Sequence, residues 1–436
     1  MADQHTSSGW NRRGFMRRAG LVAGAAAVLP MTSTWASAAA GVDPDELFRT
    51  GRFAEADRGY AQILRTDPTN AHATTQRGYV ALLSNRFTEA EQFLTRAVEL
   101  APGDQFPKQL LADCYVRQDQ FARAVPLLRA YGNEPYARQL EAVPGTPYEV
   151  HGAEAARVPF VAMDPLPLVE ASVRGGEPKR FMYDTGGTSL SLSMEVAEEA
   201  GLRAVSTGRG QAGGQSFTMY FGVLDSFRMG DIELRNFPVH WADVDRPTQL
   251  GDPQPAGVIG THIFYHFLTT LDYANQALIL RRRTTAQLRA FRAEADAAGV
   301  KPLPLWLAGD HFPFTLGSIN GHDPQVVCMD TGGAGGNSLA MTEAAAKRLR
   351  VRVDYDRPTS VNRIPAYPCY PDEARLGTAV AKGVYSVART APAGYERLGF
   401  DPIANFTHAF FKPFTITFDF SDMRFYISRP QPPAIR

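Results

Sequence analysis

The sequence predicts a multidomain chain in which all-α helical repeats precede a mainly-β region built as two related lobes. Three observations predict it. The segments GRFAEA, NRFTEA and DQFARA place Phe53, Phe87 and Phe121 at intervals of 34 residues. After Pro144 the pattern changes to short alternating apolar stretches broken by Gly, Pro and Asp, the mark of strands and turns rather than helices. Finally, FMYDTGGTSL around Asp184 returns 146 residues later as VCMDTGGAGG around Asp330.

The helical region spans residues 43–134. Ala56, Ala90 and Ala124 keep step with the three phenylalanines, and Pro68 and Pro102 close the first two units at the same interval. Apolar residues three and four apart between these markers give helix pairs, and alanine lets paired helices approach closely. The pattern resembles tetratricopeptide repeats, with Gly78, Ala90, Ala97 and Pro102 matching best in the middle unit. That resemblance implies a concave surface for a peptide or protein partner, and places Phe87 and Leu94 in the core. With only three units, the alternative is an N-terminal buttress.

Residues 1–40 read differently. Arg12 and Arg13 precede Phe15, an Ala/Val/Leu-rich run continues to Leu29, and Ala36-Ser37-Ala38 offers a cleavage site. This resembles a bacterial twin-arginine signal peptide, which implies export of a folded protein to the periplasm or beyond, with no membrane span once it is removed. The alternative, an uncleaved anchor, requires roughly 20 apolar residues, more than this run supplies.

Composition narrows the function classes. The 436 residues carry 45 basic and 45 acidic side chains, so no basic surface is concentrated for nucleic acid. Cys114, Cys328 and Cys369 are too scattered for a disulfide scaffold or zinc cluster and are expected as buried small side chains, with a Cys328–Cys369 bridge as the alternative. No phosphate loop or dinucleotide fingerprint occurs, and no cofactor is expected. His262 and His266 stand four apart, but the Glu of a zinc protease motif and a third ligand are missing, so ordinary packing at a lobe end is expected.

The duplication extends well beyond the two acids. Asp164 falls on Asp310, Pro167 on Pro313, Ser172 on Ser318, Gly175 on Gly321 and Pro178 on Pro324. Each copy is a strand, a Gly turn and a second strand that delivers the acid. Farther on, THIFYHFLTTLDY corresponds to THAFFKPFTITFDF. The lobes are therefore expected over 158–283 and 301–430, joined by a helical linker at 284–300 and preceded by a linker at 135–157.

An acid closing a strand before Thr and two glycines sits on a turn where another backbone can approach closely. Two such turns about a pseudo-twofold axis bring the carboxyls together around one water. Like charges about 3 Å apart do not both ionise easily, so one acid holds a proton while the other acts as a base. Which carboxyl holds it is left open by the sequence. The bland alternative is two turn-forming acids that cap backbone amides.

At these residues both lobes resemble the pepsin and retropepsin aspartic protease superfamily. The resemblance implies a polypeptide substrate, catalysis by Asp184 and Asp330, and hydroxyls of Thr185 and Thr331 that lock the two turns together, with Gly186 and Gly332 as the following glycines. It also implies that Val258-Ile259-Gly260 braces the first turn, and that STGRGQAGGQSFTMYFG is a flap with Phe217 and Tyr220 as substrate-covering aromatics. The chain departs from the pattern in places. Gly187 and Gly333 lack a hydroxyl found there in the family. The second brace, expected around Ile403 to Phe406, has no Gly in the expected place, and IPAYPCYPDEA, with three prolines, is not expected to form a second flap. Three readings follow: an exported aspartic endopeptidase whose repeats recruit substrate or a partner, a non-proteolytic envelope protein that binds a peptide or small molecule, and an acid/base enzyme using the same acids on a small substrate.

Overall fold

A computed structural model describes residues 42–212, 215–242, 254–333, 336–361, 364–391 and 395–429; Arg12, Arg13 and the remainder of residues 1–40 lie outside them. Among the described residues seven helices come first: α1 (Pro44–Arg49), α2 (Phe53–Thr66), α3 (Ala71–Leu83), α4 (Phe87–Leu100), α5 (Phe106–Val116), α6 (Phe121–Ala130) and α7 (Glu134–Glu141). The three marker phenylalanines open α2, α4 and α6, and Ala56, Ala90 and Ala124 are fully buried one turn later. A methyl group on Gly78 would stand 2.7 Å from the Leu94 side chain, so glycine sets how closely α3 and α4 approach.

The turns between paired helices repeat as strictly as the helices. Gly51, Asn85 and Asp119, spaced by 34 residues, all adopt left-handed backbone angles, with φ of 77°, 53° and 58°. Gly, Asn and Asp are the residues that tolerate this conformation. All three also touch the β region. A side chain on Gly51 would collide with Val326, Asn85 Nδ2 donates to the Tyr265 hydroxyl (3.1 Å) and the Phe420 carbonyl (3.2 Å), and Asp119 pairs with His266 Nε2 at 3.1 Å. Arg117, 6% exposed, donates to the carbonyls of Leu82, Leu307 and Gly309 at 2.8–2.9 Å. Phe48 and Phe53 both pack edge-on against Phe400. The repeats thus lie across both lobes as the buttress of the two sequence alternatives, and helices α3 and α5 are buried along most of their length. Arg117→Met, which strands three carbonyls, those of Leu82 and Leu307 buried, is expected to lower stability by about 3 kcal/mol, read as a drop in the thermal midpoint.

The β region carries one strand plan twice. In the first lobe the order is Lys179–Tyr183, Gly257–Ile259, Leu190–Leu192, Phe237–Ala242, Gln215–Leu224 and Ser206–Ala212. In the second it is Gln325–Asp330, Asn405–Thr407, Leu339–Thr342, Ser386–Arg389, Ile364–Tyr370 and Thr359–Val361, with the same succession of parallel and antiparallel pairings. The lobes join where Phe267–Asp272 pairs antiparallel with Thr415–Asp419, and the hydroxyls of Thr270 and Thr417 meet there at 2.7 Å. The connecting segment contains a helix, Thr285–Ala297, capped by Thr284 and held by Arg292 on the fully buried Asp419 at 2.7 Å. Repeats and lobes share one apolar core, within a single compact unit from Val42 onward. Cys114, Cys328 and Cys369 are buried, and no bridge joins Cys328 to Cys369.

Two expectations about the second lobe need correction. The segment IPAYPCYPDEA does form a hairpin strand, Ile364–Tyr370, paired with Thr359–Val361 at the place of the first-lobe hairpin. Its prolines fit because their carbonyls do the bonding: Pro365 O accepts from Thr390 N–H, and Pro368 O from Asp354 N–H. The second brace also exists, as Asn405–Thr407, one residue beyond where the matched THIF and THAF segments place it.

Candidate active site

The strands Lys179–Tyr183 and Gln325–Asp330 run through the lobe cores and bring their acids to the interface between lobes. Phe181, Tyr183, Val327, Cys328 and Met329 are fully buried, so the strands are fixed by packing up to the acid itself. The chain then turns, and the two turns hold each other. Thr185 N–H donates to Thr331 Oγ1 and Thr331 N–H to Thr185 Oγ1, both at 3.0 Å, while the Thr185 hydroxyl donates to the Met329 carbonyl at 2.8 Å. Both threonines are essentially inaccessible to water, so these bonds meet no competition from solvent.

Locked in this way, the half-buried carboxyls of Asp184 and Asp330 hydrogen-bond to one another. Gly186 N–H donates to Asp184 Oδ1 (2.6 Å) and Gly332 N–H to Asp330 Oδ1 (3.0 Å), and the Gly332 N–H also faces the Asp184 carboxyl. The glycines are required by space: a methyl on Gly332 would lie 2.2 Å from Asp184 Cγ, and one on Gly186 would lie 2.9 Å from Asp330 Oδ1. Burial, reinforced by the charge of Asp330, holds the Asp184 carboxyl well above the ordinary carboxylate range. A site of this kind, with two carboxyls sharing a proton, can take a proton from a bound water and give one to a leaving group.

Behind each acid runs a parallel brace strand. In the first lobe Val258 pairs with Met182 and Ile259 with Tyr183, so Gly260 stands at the level of Asp184. A Cβ there would lie 2.6 Å from the Ser189 carbonyl. In the second lobe Asn405 pairs with Cys328, Phe406 with Met329 and Thr407 with Asp330. Gly260 N–H bonds to Ser189 O and Thr407 N–H to Ser338 O, both at 3.0 Å, which makes Thr407 the counterpart of Gly260 and Asn405 that of Val258. The larger Thr407 fits because Gly333 yields the room, since a methyl on Gly333 would stand 2.7 Å from Thr407 Cβ.

Asn405 was not singled out by sequence reasoning. Its Nδ2 donates to Asp330 Oδ2 at 2.8 Å, a bond of the kind that a hydroxyl at position 333 supplies in the resembled family. The signal in the sequence was a polar residue where the first lobe has Val258, hidden by the one-residue slip in the alignment of the lobes.

The remaining candidates stand as follows. Ser206–Ala212 and Gln215–Leu224 form the first-lobe hairpin, in which Phe217 lies over Gly210 and Tyr220 stacks on Trp241 with ring centres 6.0 Å apart. Both rings are thus half-buried against the hairpin's own sheet. His262 and His266 do not converge: His266 bonds the His262 carbonyl and Asp119, while His262 faces the Asp310 carbonyl at 3.3 Å, and burial pushes His262 down to about 4. No helix among the described residues is long and apolar enough to cross a membrane.

Comparison with known proteins agrees with this architecture in two segments. Residues 169–263 match the family described as aspartyl protease, and residues 81–140 match the tetratricopeptide repeat family. The first match spans the first acid, its turn, the hairpin and the brace, and the second lobe repeats that strand plan. No curated protein matches the chain. Among solved structures, basic 7S globulin from soybean aligns over 65% of this chain and 95% of that one, at 12% identity and a TM-score of 0.37, a likeness that carries no argument.

Proposed function

We propose that this protein is an exported aspartic endopeptidase that hydrolyses peptide bonds with a water activated between Asp184 and Asp330. The observation that carries the reading is the pair of carboxyls in mutual contact at the lobe interface, each fed by a glycine N–H and clamped by the Thr185–Thr331 exchange. The charged member takes a proton from the water, whose oxygen attacks the scissile carbonyl carbon. The protonated member donates to the carbonyl oxygen as its charge develops; the resulting gem-diol collapses as one of its hydroxyls returns a proton to the pair, the C–N bond breaks and the amine takes the proton that came from the water, which leaves the pair singly protonated again. No covalent bond to the enzyme forms at any point.

With the helix-turn row of the repeats committed to the lobes, a protein partner on the repeats would use the face turned away from them. Export rests on Arg12 and Arg13 before the apolar run; fusing residues 1–40 to a folded reporter is expected to carry it across the inner membrane, and retention of the reporter in the cytoplasm would count against it.

The test of activity is a digest of proteome-derived peptides from about pH 3 to pH 8. Cleavage favoured at acid pH and blocked by a statine-type transition-state mimic is expected. Intact peptides at every pH would overturn the reading.

A further inference from the structure

The two halves of the site are built on one plan, yet only one of them sets a polar side chain of its brace strand on its acid. Val258 and Asn405 occupy the same place on the two brace strands, one residue before Ile259 and Phe406 and beside Met182 and Cys328 respectively. Val258 is apolar and packs with Leu166, Leu168 and Met182. Asn405 is 8% exposed and places its amide N–H 2.8 Å from Asp330 Oδ2. Its own Oδ1 is buried without a partner, a cost the fold retains alongside that one donated bond. The backbone donors alone would favour charge on Asp184, which faces the N–H groups of both Gly186 and Gly332 while Asp330 has only that of Gly332; the Asn405 amide gives Asp330 its second donor.

We propose that Asn405 is a positioning residue that assigns the single negative charge of the pair to Asp330 and leaves the proton on Asp184. An amide N–H stabilises a carboxylate acceptor more than a neutral acid, and its gain is largest where water is excluded. On Asp184 itself, burial and the neighbouring charge of Asp330 favour the neutral form and outweigh the opposing pull of the Gly186 and Gly332 N–H groups. Within the peptidase reading, on which this step rests, Asp330 therefore receives the proton of the attacking water and Asp184 donates to the substrate carbonyl oxygen.

The experiment is a carboxyl titration in protein labelled with 13C-aspartate, assigned with Asp184→Asn and Asp330→Asn, in the wild type, in Asn405→Val and in Asn405→Val combined with Val258→Asn. The lower of the two ionisation steps is expected on the Asp330 carbon, to move up by about one pH unit in Asn405→Val, and to pass to the Asp184 carbon in the double variant. The acidic limb of the peptidase rate profile should move with it. A lower step on Asp184 in the wild type, or a step on Asp330 that ignores Asn405→Val, overturns the assignment. Because the titration is read without substrate, a wild type that cleaves no peptide counts against the peptidase reading alone, and Asn405 is still decided.

Discussion

Asp184→Asn and Asp330→Asn should each lower peptide turnover by about three orders of magnitude at the optimum pH while leaving the circular dichroism spectrum unchanged, because each removes one partner of a two-member proton relay. The two variants should part company in stability. Asp184 is held above the ordinary carboxylate range, so between that range and its own ionisation the folded state binds more protons than the unfolded chain, and stability falls as pH rises through this window. Asparagine is neutral throughout and escapes the loss. Asp184→Asn is therefore expected to melt about 2 °C or more above the wild type near pH 8, with the advantage gone near pH 4. Full turnover in both variants would sink the dyad, and a pH-independent difference in melting would sink the account of Asp184's environment.

The second large effect belongs to Gly332. Its added methyl would come within 2.3 Å of both Asp184 carboxylate oxygens, so Gly332→Ala must push the two acids apart. Displacement of reacting groups by about 1 Å costs on the order of 100-fold in rate. The loss should fall on kcat, with KM little changed, since the methyl strikes the reacting carboxyls. Gly103→Ala, where a methyl meets nothing within 4 Å, is the control and should leave both constants alone. A Gly332→Ala protein with wild-type kcat would mean that the carboxyl contact is dispensable for the chemistry.

Much of this architecture is written locally and could be read from the chain. The 34-residue beat of Phe53, Phe87 and Phe121 gives the repeats because helix pairing is a short-range affair, and the DTGG copies give the two lobes because each turn follows its own buried strand. What escaped is set by contacts between distant segments. Nothing in the chain around Asn85 and Asp119 marks their partners, and only the folded chain shows their side chains on Tyr265 and His266. Prolines argued against a second hairpin because they remove N–H donors, yet Pro365 and Pro368 use their carbonyls. The brace was missed because similarity of Thr261 to Thr407 is a matter of letters, whereas hydrogen bonding sets Thr407 against Gly260. Compensation between Gly333 and Thr407 is likewise invisible until the two are seen to share one space.

The pairing of Thr270 with Thr417 and of Thr185 with Thr331 marks an axis about which the lobes are nearly interchangeable. A site assembled from two identical chains would have to place the same residue on both sides of such an axis, so a valine here would mean a valine there. Tethering both halves in one polypeptide removes that obligation. Val258 and Asn405 can then diverge, and a symmetric pair of acids becomes a donor and an acceptor with permanent addresses.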